Sequence, residues 1–269
     1  MNHARHQGSL LAGYAKQTFA HAGKTRWLYV RGSGPAVIVL HEIPGITPLV
    51  LRFAGWLVEA GFRVYLPELV GVAGKQPSIA YVARSIAALC ISREFAVLAA
   101  DRSSPVTDCL RALVRHASRD AGGTGVGAVG MCFSGNFVLA MMLEPELVAP
   151  VLSQPSLPFS LGARRKRALH LTPSEWNRVK GRCAAGAKVL ALRFTGDIAC
   201  PAERFATLRQ GLGAALETIE IDPRHGNPRS RNPQPHAVLT ADLIDRDGEP
   251  TREAANRVIA FLRERLMPA

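Results

Sequence analysis

Short apolar runs, separated by longer stretches of mixed polarity, recur along this chain. The clearest is Ala36–Leu40, five consecutive aliphatic residues with no polar position among them. A strand that is covered on both faces has no polar side, so a continuous apolar run predicts a buried strand of a parallel sheet. Further runs predict strands at residues 25–31, 62–66, 126–130, 147–152, 188–194 and 216–221.

The segments between these runs have helical signals. Thr47 followed by Pro48 is typical of an N-cap and a first helical turn, and Gly61 is a typical stop. Helices that alternate with apolar strands predict βαβ units. The expected fold class is therefore α/β, a mostly parallel sheet with helices on both faces. The predicted helices cover residues 48–60, 81–100, 104–116, the stretch after the 130–135 corner to about 143, 174–182, 201–211 and 250–267.

The chain shows no internal repeat and no linker between domains. Its 269 residues are many for one domain, but α/β folds often reach this size. We therefore predict a single domain over residues 1–269, with residues 1–24 as an N-terminal extension. Residues 153–182 have the least regular pattern and are a candidate cap or lid over one end of the sheet.

A glycine-rich corner between an apolar run and a helical segment holds the first candidate for chemistry. Cys132 lies in it, with Gly130 two residues before and Ser134 two residues after. A strand, a tight turn with small flanking residues and then a helix form the context of a nucleophile elbow. The helix N-terminus would favour the thiolate of Cys132. The alternative is a buried cysteine at a glycine-rich strand end.

Two downstream residues could serve this thiol. Asp197 directly follows a predicted strand, and His236 lies in the loop between the last strand and the last helix. The order nucleophile, acid, base is that of hydrolases with such an elbow. Asp197 could equally be a turn or N-cap aspartate. His225 competes with His236 in the same loop, but the apolar residues after His236 favour it as the anchored one.

The end of the first buried strand supplies further candidates. Glu42 follows this strand, and the next residues lead into a Pro-Gly turn. The backbone N–H of Ile43 is a candidate oxyanion donor there, and Phe133, which follows the thiol, offers a second. A glutamate near a buried thiol needs a partner. The alternative for Glu42 is a salt bridge to an arginine.

Composition narrows the classes of partner. The formal net charge is +12, but the basic residues are dispersed apart from one short cluster at residues 164–167. We expect a solvated basic surface, with nucleic acid unexpected as a partner. The five cysteines include no CxxC pair, which favours a reducing cytoplasm. No signal peptide, membrane span, metal site or cofactor motif is expected, and the protein is expected to be a monomer or a homodimer.

Taken together, these segments resemble the dienelactone hydrolase family of α/β hydrolases, from about Arg26 to the C-terminus. The resemblance rests on VIVLHEIPG at 37–45, FRVYLPEL at 62–69, GMCFSG at 130–135, TGD at 195–197 and PHAVLT at 235–240. The family uses a Cys–His–Asp triad, with a glutamate that interacts with the resting thiol and helps generate the thiolate. By resemblance these roles fall on Cys132, His236, Asp197 and Glu42.

Two positions depart from this family. Ser134 stands where its best-known members have glycine, and Thr240 stands where they have an arginine that binds a substrate carboxylate. Arg84 and Arg93 are candidates for a second such arginine. The expected function is hydrolysis of a carboxylic ester or lactone through an acyl-enzyme. The alternatives are an esterase or thioesterase for an unrelated acyl group, a non-catalytic binding protein with this fold, and a module whose basic surface binds anions or nucleic acid.

Overall fold

A computed structural model describes residues 10–91, 105–123, 125–157, 162–230, 232 and 234–267. Its centre is an eight-stranded sheet in the order β1-β2-β4-β3-β5-β6-β7-β8. Strands β1, β2 and β4 pair antiparallel, and every pairing from β4 to β8 is parallel. The strands are β1 (Ala15–His21), β2 (Lys24–Arg31), β3 (Ala36–Leu40), β4 (Arg63–Pro67), β5 (Val126–Met131), β6 (Leu147–Ser153), β7 (Val189–Phe194) and β8 (Leu216–Ile221).

Helices cover both faces of the sheet. Helices α1 and α8 pack with one set of core residues, and α3, α4, α6 and α7 pack with the other. The predicted α/β class is confirmed. The helices are α1 (Pro48–Glu59), α2 (Ile79–Ile91), α3 (Val106–Asp120), α4 (Gly135–Met141), α5 (Gly162–Arg167), α6 (Pro173–Ala184), α7 (Ala202–Leu212) and α8 (Pro250–Leu266).

Strand β3 shows why its sequence has no polar position. Ile38 and Leu40 pack into the core on one side of the sheet, while Val37 and Val39 pack into the core on the other. All five residues of the strand are fully buried. Because successive side chains of a strand point to opposite faces, a sheet with two covered faces requires apolar residues at every position.

The start of α1 follows the predicted capping pattern. Thr47 has an extended backbone, its hydroxyl accepts a hydrogen bond from Val50 N at 3.4 Å, and Pro48 occupies the first turn. The helix therefore begins shortly after the segment that contains Glu42. The N-cap prediction is confirmed.

Part of the predicted N-terminal extension belongs to the central sheet. Residues Ala15–His21 form β1, an edge strand that pairs antiparallel with β2 along its whole length. Most of its residues are exposed, so it has no apolar run of the kind that marked the other strands. The prediction of an extension over residues 1–24 missed this strand.

The described part of the candidate cap is bonded to the body of the protein. The fully buried Arg204 on α7 donates to the carbonyl oxygens of Pro155, Arg165 and Ala168, at 2.9 to 3.0 Å. Arg182 on α6 donates to Pro145 O in the loop before β6 at 3.0 Å and to Leu147 O at the start of β6 at 3.1 Å. These bonds tie α5 and α6 to the sheet layer.

The helix predicted over residues 81–100 is α2, and its described part ends at Ile91. Residues 92–104, which include Arg93, lie outside the described ranges. Among the described residues, no helix combines the length and the apolar composition that crossing a bilayer requires.

Candidate active site

The candidate residues lie where parallel strands end. Strands β3 and β5 are neighbours, and Leu40 is in register with Gly130. Glu42 lies two residues past Leu40 and Cys132 two residues past Gly130, so both follow the carboxyl ends of neighbouring strands, and Ile43 and Phe133 come next in the two segments. The carboxyl ends of neighbouring parallel strands, where the strand order reverses, are the usual ligand site of α/β sheets. The site therefore lies past the ends of two strands that are buried at every position.

Cys132 lies on a strained corner between β5 and α4. Its φ is +56°, a left-handed conformation that is rare for a residue with a side chain. A Cβ on Gly130 would come within 2.6 Å of both Ser134 O and a methyl carbon of Val138. Only glycine fits this tight turn, which leaves the partly exposed Cys132 at its tip. The corner has the geometry of a nucleophile elbow.

Ser134 is a bonded part of this corner. Its hydroxyl accepts a hydrogen bond from Met131 N at 3.0 Å and lies 3.0 Å from Leu40 O, to which it can donate. The hydroxyl therefore links β3 to the turn after β5. Ser134 is fully buried, so the side chain that replaces the family's glycine has both partners and space.

Asp197, which follows β7, and His236, in the loop between β8 and α8, are in contact. His236 Nδ1 is 2.7 Å from Asp197 Oδ2, and Asp197 Oδ1 accepts a hydrogen bond from Ala199 N at 2.9 Å. An Nδ1–H that donates to the carboxylate leaves Nε2 of the ring free to act on another group. The side chain of Asp197 is 4% exposed and that of His236 is 21% exposed. The imidazole is therefore oriented by a buried carboxylate.

The charges around His236 favour its protonated form. Burial acts to lower its pKa, but the charge of Cys132 and hydrogen bonds with Asp197 and Cys132 together raise the pKa well above its ordinary value. The three side chains are therefore electrostatically coupled. The arrangement therefore stabilises the imidazolium form of His236.

A buried aspartate that the sequence analysis did not single out holds the histidine loop. Asp242 Oδ2 accepts hydrogen bonds from the backbone N–H groups of His236 and Ala237, both at 2.8 Å, and from Asn232 Nδ2 at 2.6 Å. Asp242 is 1% exposed. It fixes the backbone that carries the imidazole. Its only sequence signal is its place six residues after the histidine, in the same short loop.

Glu42 is held by two neutral side chains. Thr240 Oγ1 donates to Glu42 Oε1, and Gln154 Nε2 donates to Glu42 Oε2 at 3.2 Å. Burial raises the pKa of Glu42; the Thr240 bond and the His236 charge oppose this rise, the Asp242 charge adds to it, and the Gln154 bond opposes it. Among the described residues, the side-chain partners of Glu42 are these two neutral groups, and no arginine there forms an ion pair with it.

The remaining predicted site residues fall in different places. Arg84 is exposed on α2, one residue from Ser85, whose hydroxyl donates to Pro44 O at 3.1 Å. Arg93 lies outside the described residues. His225 is exposed in a 3-10 turn after β8, while His236 contacts Asp197. No cluster of three metal-binding side chains occurs within the described ranges.

His41, which the sequence analysis also passed over, fixes the turn that carries Glu42. It is fully buried, its Nδ1–H donates to Glu42 O at 2.8 Å, and its Nε2 accepts from Leu69 N at 3.0 Å. Only a neutral imidazole satisfies both bonds, because a protonated ring has no acceptor. Burial lowers the pKa of His41 to about 4.

This buried imidazole predicts a loss of stability in mild acid. Between about pH 6.5 and pH 4 the unfolded chain binds a proton at this histidine and the folded chain does not, so stability falls as the pH falls. The loss reaches about 2 kcal/mol by pH 5. Urea unfolding at pH 7 and pH 5 should show a smaller pH effect in His41→Asn, whose stability at pH 7 is lower. The matched control His225→Asn should keep the wild-type pH effect, and an unchanged effect in His41→Asn would contradict the assignment.

Known proteins share this fold. A Klebsiella pneumoniae protein assigned as a dienelactone hydrolase aligns with a TM-score of 0.62 and 18% identity, covering 93% of this chain and 98% of its own. A dienelactone hydrolase-like promiscuous phosphotriesterase from metagenomic libraries aligns with a TM-score of 0.60 and 15% identity, covering 92% and 96%. The thioesterase domain of the curacin biosynthetic pathway aligns with a TM-score of 0.56 and 10% identity, covering 92% and 99%.

These likenesses define an α/β-hydrolase fold. The sequence model of the dienelactone hydrolase family matches residues 26–159, and the chain belongs to that family. The matched segment includes Glu42 and Cys132 and ends before Asp197 and His236. No curated protein sequence matches the chain. The protein is thus a dienelactone hydrolase-like α/β hydrolase.

Proposed function

We propose that this protein hydrolyses a carboxylic ester or lactone through a Cys132–His236–Asp197 triad and an acyl-enzyme. The observation that supports this most is the coupling of three side chains from separate loops. A thiol on a strained corner faces an imidazole whose other nitrogen is bonded to a buried carboxylate at 2.7 Å. Nucleophile, base and orienting acid in this relation are what acyl transfer requires.

The chemical steps follow from these positions. The thiol of Cys132 gives its proton to Glu42, and the resulting thiolate attacks the carbonyl carbon beside the protonated imidazole of His236. The tetrahedral intermediate collapses, the C–O bond breaks, and the imidazolium gives its proton to the leaving alkoxide. A water molecule then loses a proton to His236 and attacks the thioester, which returns the acid product and the free thiol. Asp197 keeps Nδ1 protonated throughout, so that Nε2 acts on the reacting groups.

The oxyanion of each intermediate needs donors on one side of the carbonyl. In this proposal they are the backbone N–H groups of Ile43 and Phe133. Each lies three residues past the last residue of its strand in the β3–β5 pairing, Leu40 in β3 and Gly130 in β5. Donors fixed by the sheet cost no reorganisation as the charge develops, which is what makes such a site effective.

Glu42 takes the role of proton partner to the resting thiol in this proposal, as the family resemblance implies. It follows the strand beside the one that leads to Cys132, and its buried carboxyl group has a raised pKa. Both features suit a group that accepts a proton from the thiol and later returns it.

We further propose that the substrate need not carry a carboxylate. Thr240, where relatives place a carboxylate-binding arginine, uses its hydroxyl on Glu42. The nearby Arg52 donates to Thr240 O at 3.3 Å and stacks over Trp56. Arg84, the other described candidate for binding a substrate carboxylate, is exposed on α2. The described residues thus favour a substrate recognised by its neutral acyl group.

A panel of esters, thioesters and lactones tests this function. It contains a lactone that bears a carboxylate and its neutral analogue as a matched pair. We expect hydrolysis of several members, similar kcat/KM for the pair, and a mass increase on Cys132 that matches the acyl group when the reaction is quenched. An adduct on another residue, or no hydrolysis across the panel, would contradict the triad. A strong preference for the acid would identify an arginine in the carboxylate-binding role.

A further inference from the structure

The buried surroundings of Glu42 contain two residues with no part in the triad. Gln154 and Thr240 come from segments that are distant in sequence, and each binds a different oxygen of the same carboxyl group. Both are fully buried or nearly so, at 0% and 1% exposure. A buried carboxylate with both oxygens hydrogen-bonded is fixed in position and in orientation.

Gln154 is held in an unfavourable backbone conformation. Its φ is +35°, in the left-handed region that disfavours residues with a side chain. Its N donates to Leu192 O at 2.6 Å, and its Oε1 accepts from Ser153 Oγ. With Oε1 used in this way, the amide can present only Nε2 to Glu42. The strain and the polar partners together aim one donor at the carboxyl group.

The segment of Gln154 is also bonded to the elbow. Ser156 Oγ donates to Gln154 O at 2.8 Å, and Ser156 N donates to Cys132 O at 3.0 Å. The position of the amide is thereby linked to the backbone of the thiol.

Thr240 makes the corresponding link to the base. It ends a turn that begins directly after His236, with Thr240 N donating to Ala237 O at 3.2 Å. Its hydroxyl differs from the amide in one respect: by rotating, it can donate to a carboxylate or accept from a carboxylic acid. Thr240 can therefore bind Glu42 in both of its protonation states.

We propose that Gln154 and Thr240 are positioning residues that hold Glu42 so that its carboxyl group can exchange a proton with Cys132. This inference rests on the role of Glu42 in the proposed function. The thiol proton passes to a carboxyl oxygen, Thr240 turns its hydroxyl to accept the new O–H, and Gln154 keeps its bond to the other oxygen. The return of the proton reverses these changes.

The charged groups that act on Glu42 define what a test must control. His236 and Asp242 contribute opposite charges at Glu42, and His236 is also hydrogen-bonded to Cys132. The adjacent His41 has a pKa of about 4 and stays neutral near neutral pH. The hydrogen bonds can be changed while all of these groups are kept.

The test uses the full chain in four variants. Thr240→Val removes the hydroxyl and keeps the shape, and Thr240→Ser restores the hydroxyl as its matched control. Gln154→Met removes the amide donor at similar length, and Glu42→Gln is the reference for loss of the carboxyl group. Two readouts are taken: the pH dependence of Cys132 alkylation by iodoacetamide in the free enzyme, and kcat for an ester.

In the variants that lose a donor, alkylation of Cys132 and kcat are expected to change in opposite directions. Loss of a donor disfavours the charged form of Glu42. The negative charge near Cys132 is then smaller, so the thiolate is less strongly opposed and forms at lower pH. The midpoint of alkylation in Thr240→Val and Gln154→Met should move to lower pH by about one unit. Their kcat should fall by about 10-fold or more, because Glu42 is no longer placed to take the proton. Thr240→Ser should recover both properties. General loosening of the site would instead slow both reactions.

Several outcomes would overturn the inference. It is wrong if Thr240→Val and Gln154→Met keep the wild-type alkylation profile while Glu42→Gln changes it. It is also wrong if Glu42→Gln changes neither readout. Should Thr240→Val fail to fold, as judged by circular dichroism, Gln154→Met decides alone. If the wild type hydrolyses no ester but the alkylation midpoints still shift, the proposed function fails and the positioning of Glu42 stands.

Discussion

Replacement of Cys132 by alanine is expected to abolish ester hydrolysis while the protein stays folded. Removing the nucleophile of a triad typically costs on the order of 10⁴- to 10⁶-fold in kcat. Cys132→Ser should also be severely impaired, because a site arranged for a thiol activates a hydroxyl poorly. Steady-state kinetics with a chromogenic ester measures both losses. Full activity in Cys132→Ala would show that Cys132 is not the nucleophile and that the corner has a structural role only.

Replacement of Cys132 by glycine is expected to give a more stable protein than replacement by alanine. Cys132 has a φ of +56°, which penalises any residue with a Cβ. Cys132→Gly should therefore be more stable than Cys132→Ala by about 1 kcal/mol in urea unfolding, and equally inactive. This pair of variants separates the strain of the corner from its chemistry. Equal stabilities would indicate that the corner relaxes once the thiol is gone.

Chemical labelling distinguishes Cys132 from the other thiols whose side chains are described. Cys109, Cys183 and Cys200 are buried, and Cys132 is partly exposed. Burial raises the pKa of Cys200 and of Cys183. Iodoacetamide should therefore modify Cys132 before these three, with loss of activity in step. If Glu42 keeps the resting thiol neutral, the reaction should be slow in the free enzyme and faster with a slowly hydrolysed analogue bound.

Much of the fold could be predicted because its signals are local and strong. A fully buried strand such as Ala36–Leu40 must be apolar throughout, and the Thr47 cap with Pro48 marks the helix that follows. Strand β1 was missed because an exposed edge strand has no apolar run. Its stability comes from pairing with β2, a contact between segments that sequence periodicity does not encode.

The residues of the candidate site also fall into two groups, those with a local sequence motif and those without one. The corner around Cys132 has a sequence signature because sterics permit only small residues there, as the close approaches at Gly130 show. Gln154, Asp242 and His41 have no comparable motif, because each acts through a contact with a residue far away or through the backbone. One usable signal existed for Gln154. It directly follows a buried parallel strand, the position that also marked Glu42 and Asp197.

Thr240 shows where comparison with relatives alone falls short. The departure from arginine indicated a missing contact to substrate, and sequence gave no reason to expect a new contact. In the structure its hydroxyl binds Glu42 and its carbonyl accepts from Arg52. A position that differs from the family can thus have a different partner within the site. Which partner it has depends on the arrangement of β3 against the histidine loop.

Replacement of His236 by alanine should lower kcat/KM on the order of 10²- to 10⁴-fold, the usual contribution of a general base. The reason is geometric. His236 is bonded to Asp197 at 2.7 Å, and its loop is fixed by two backbone N–H bonds to the buried Asp242. Kinetics with the ester used for the Cys132 variants measures this loss. Alkylation of Cys132 should slow in the same variant, because the imidazolium that stabilises the thiolate is gone.

His225→Ala is the matched control from the same region, since both histidines lie between β8 and α8. His225 is exposed in its 3-10 turn, and its N–H donates to Asp222 O at 3.0 Å, a bond that alanine retains. Its loss should leave kcat/KM and the alkylation rate close to wild type. The reverse result, with His225→Ala inactive and His236→Ala active, would move the base to His225. In that case Asp197 and Asp242 would orient a histidine with no part in the chemistry, and their buried hydrogen bonds would serve stability alone.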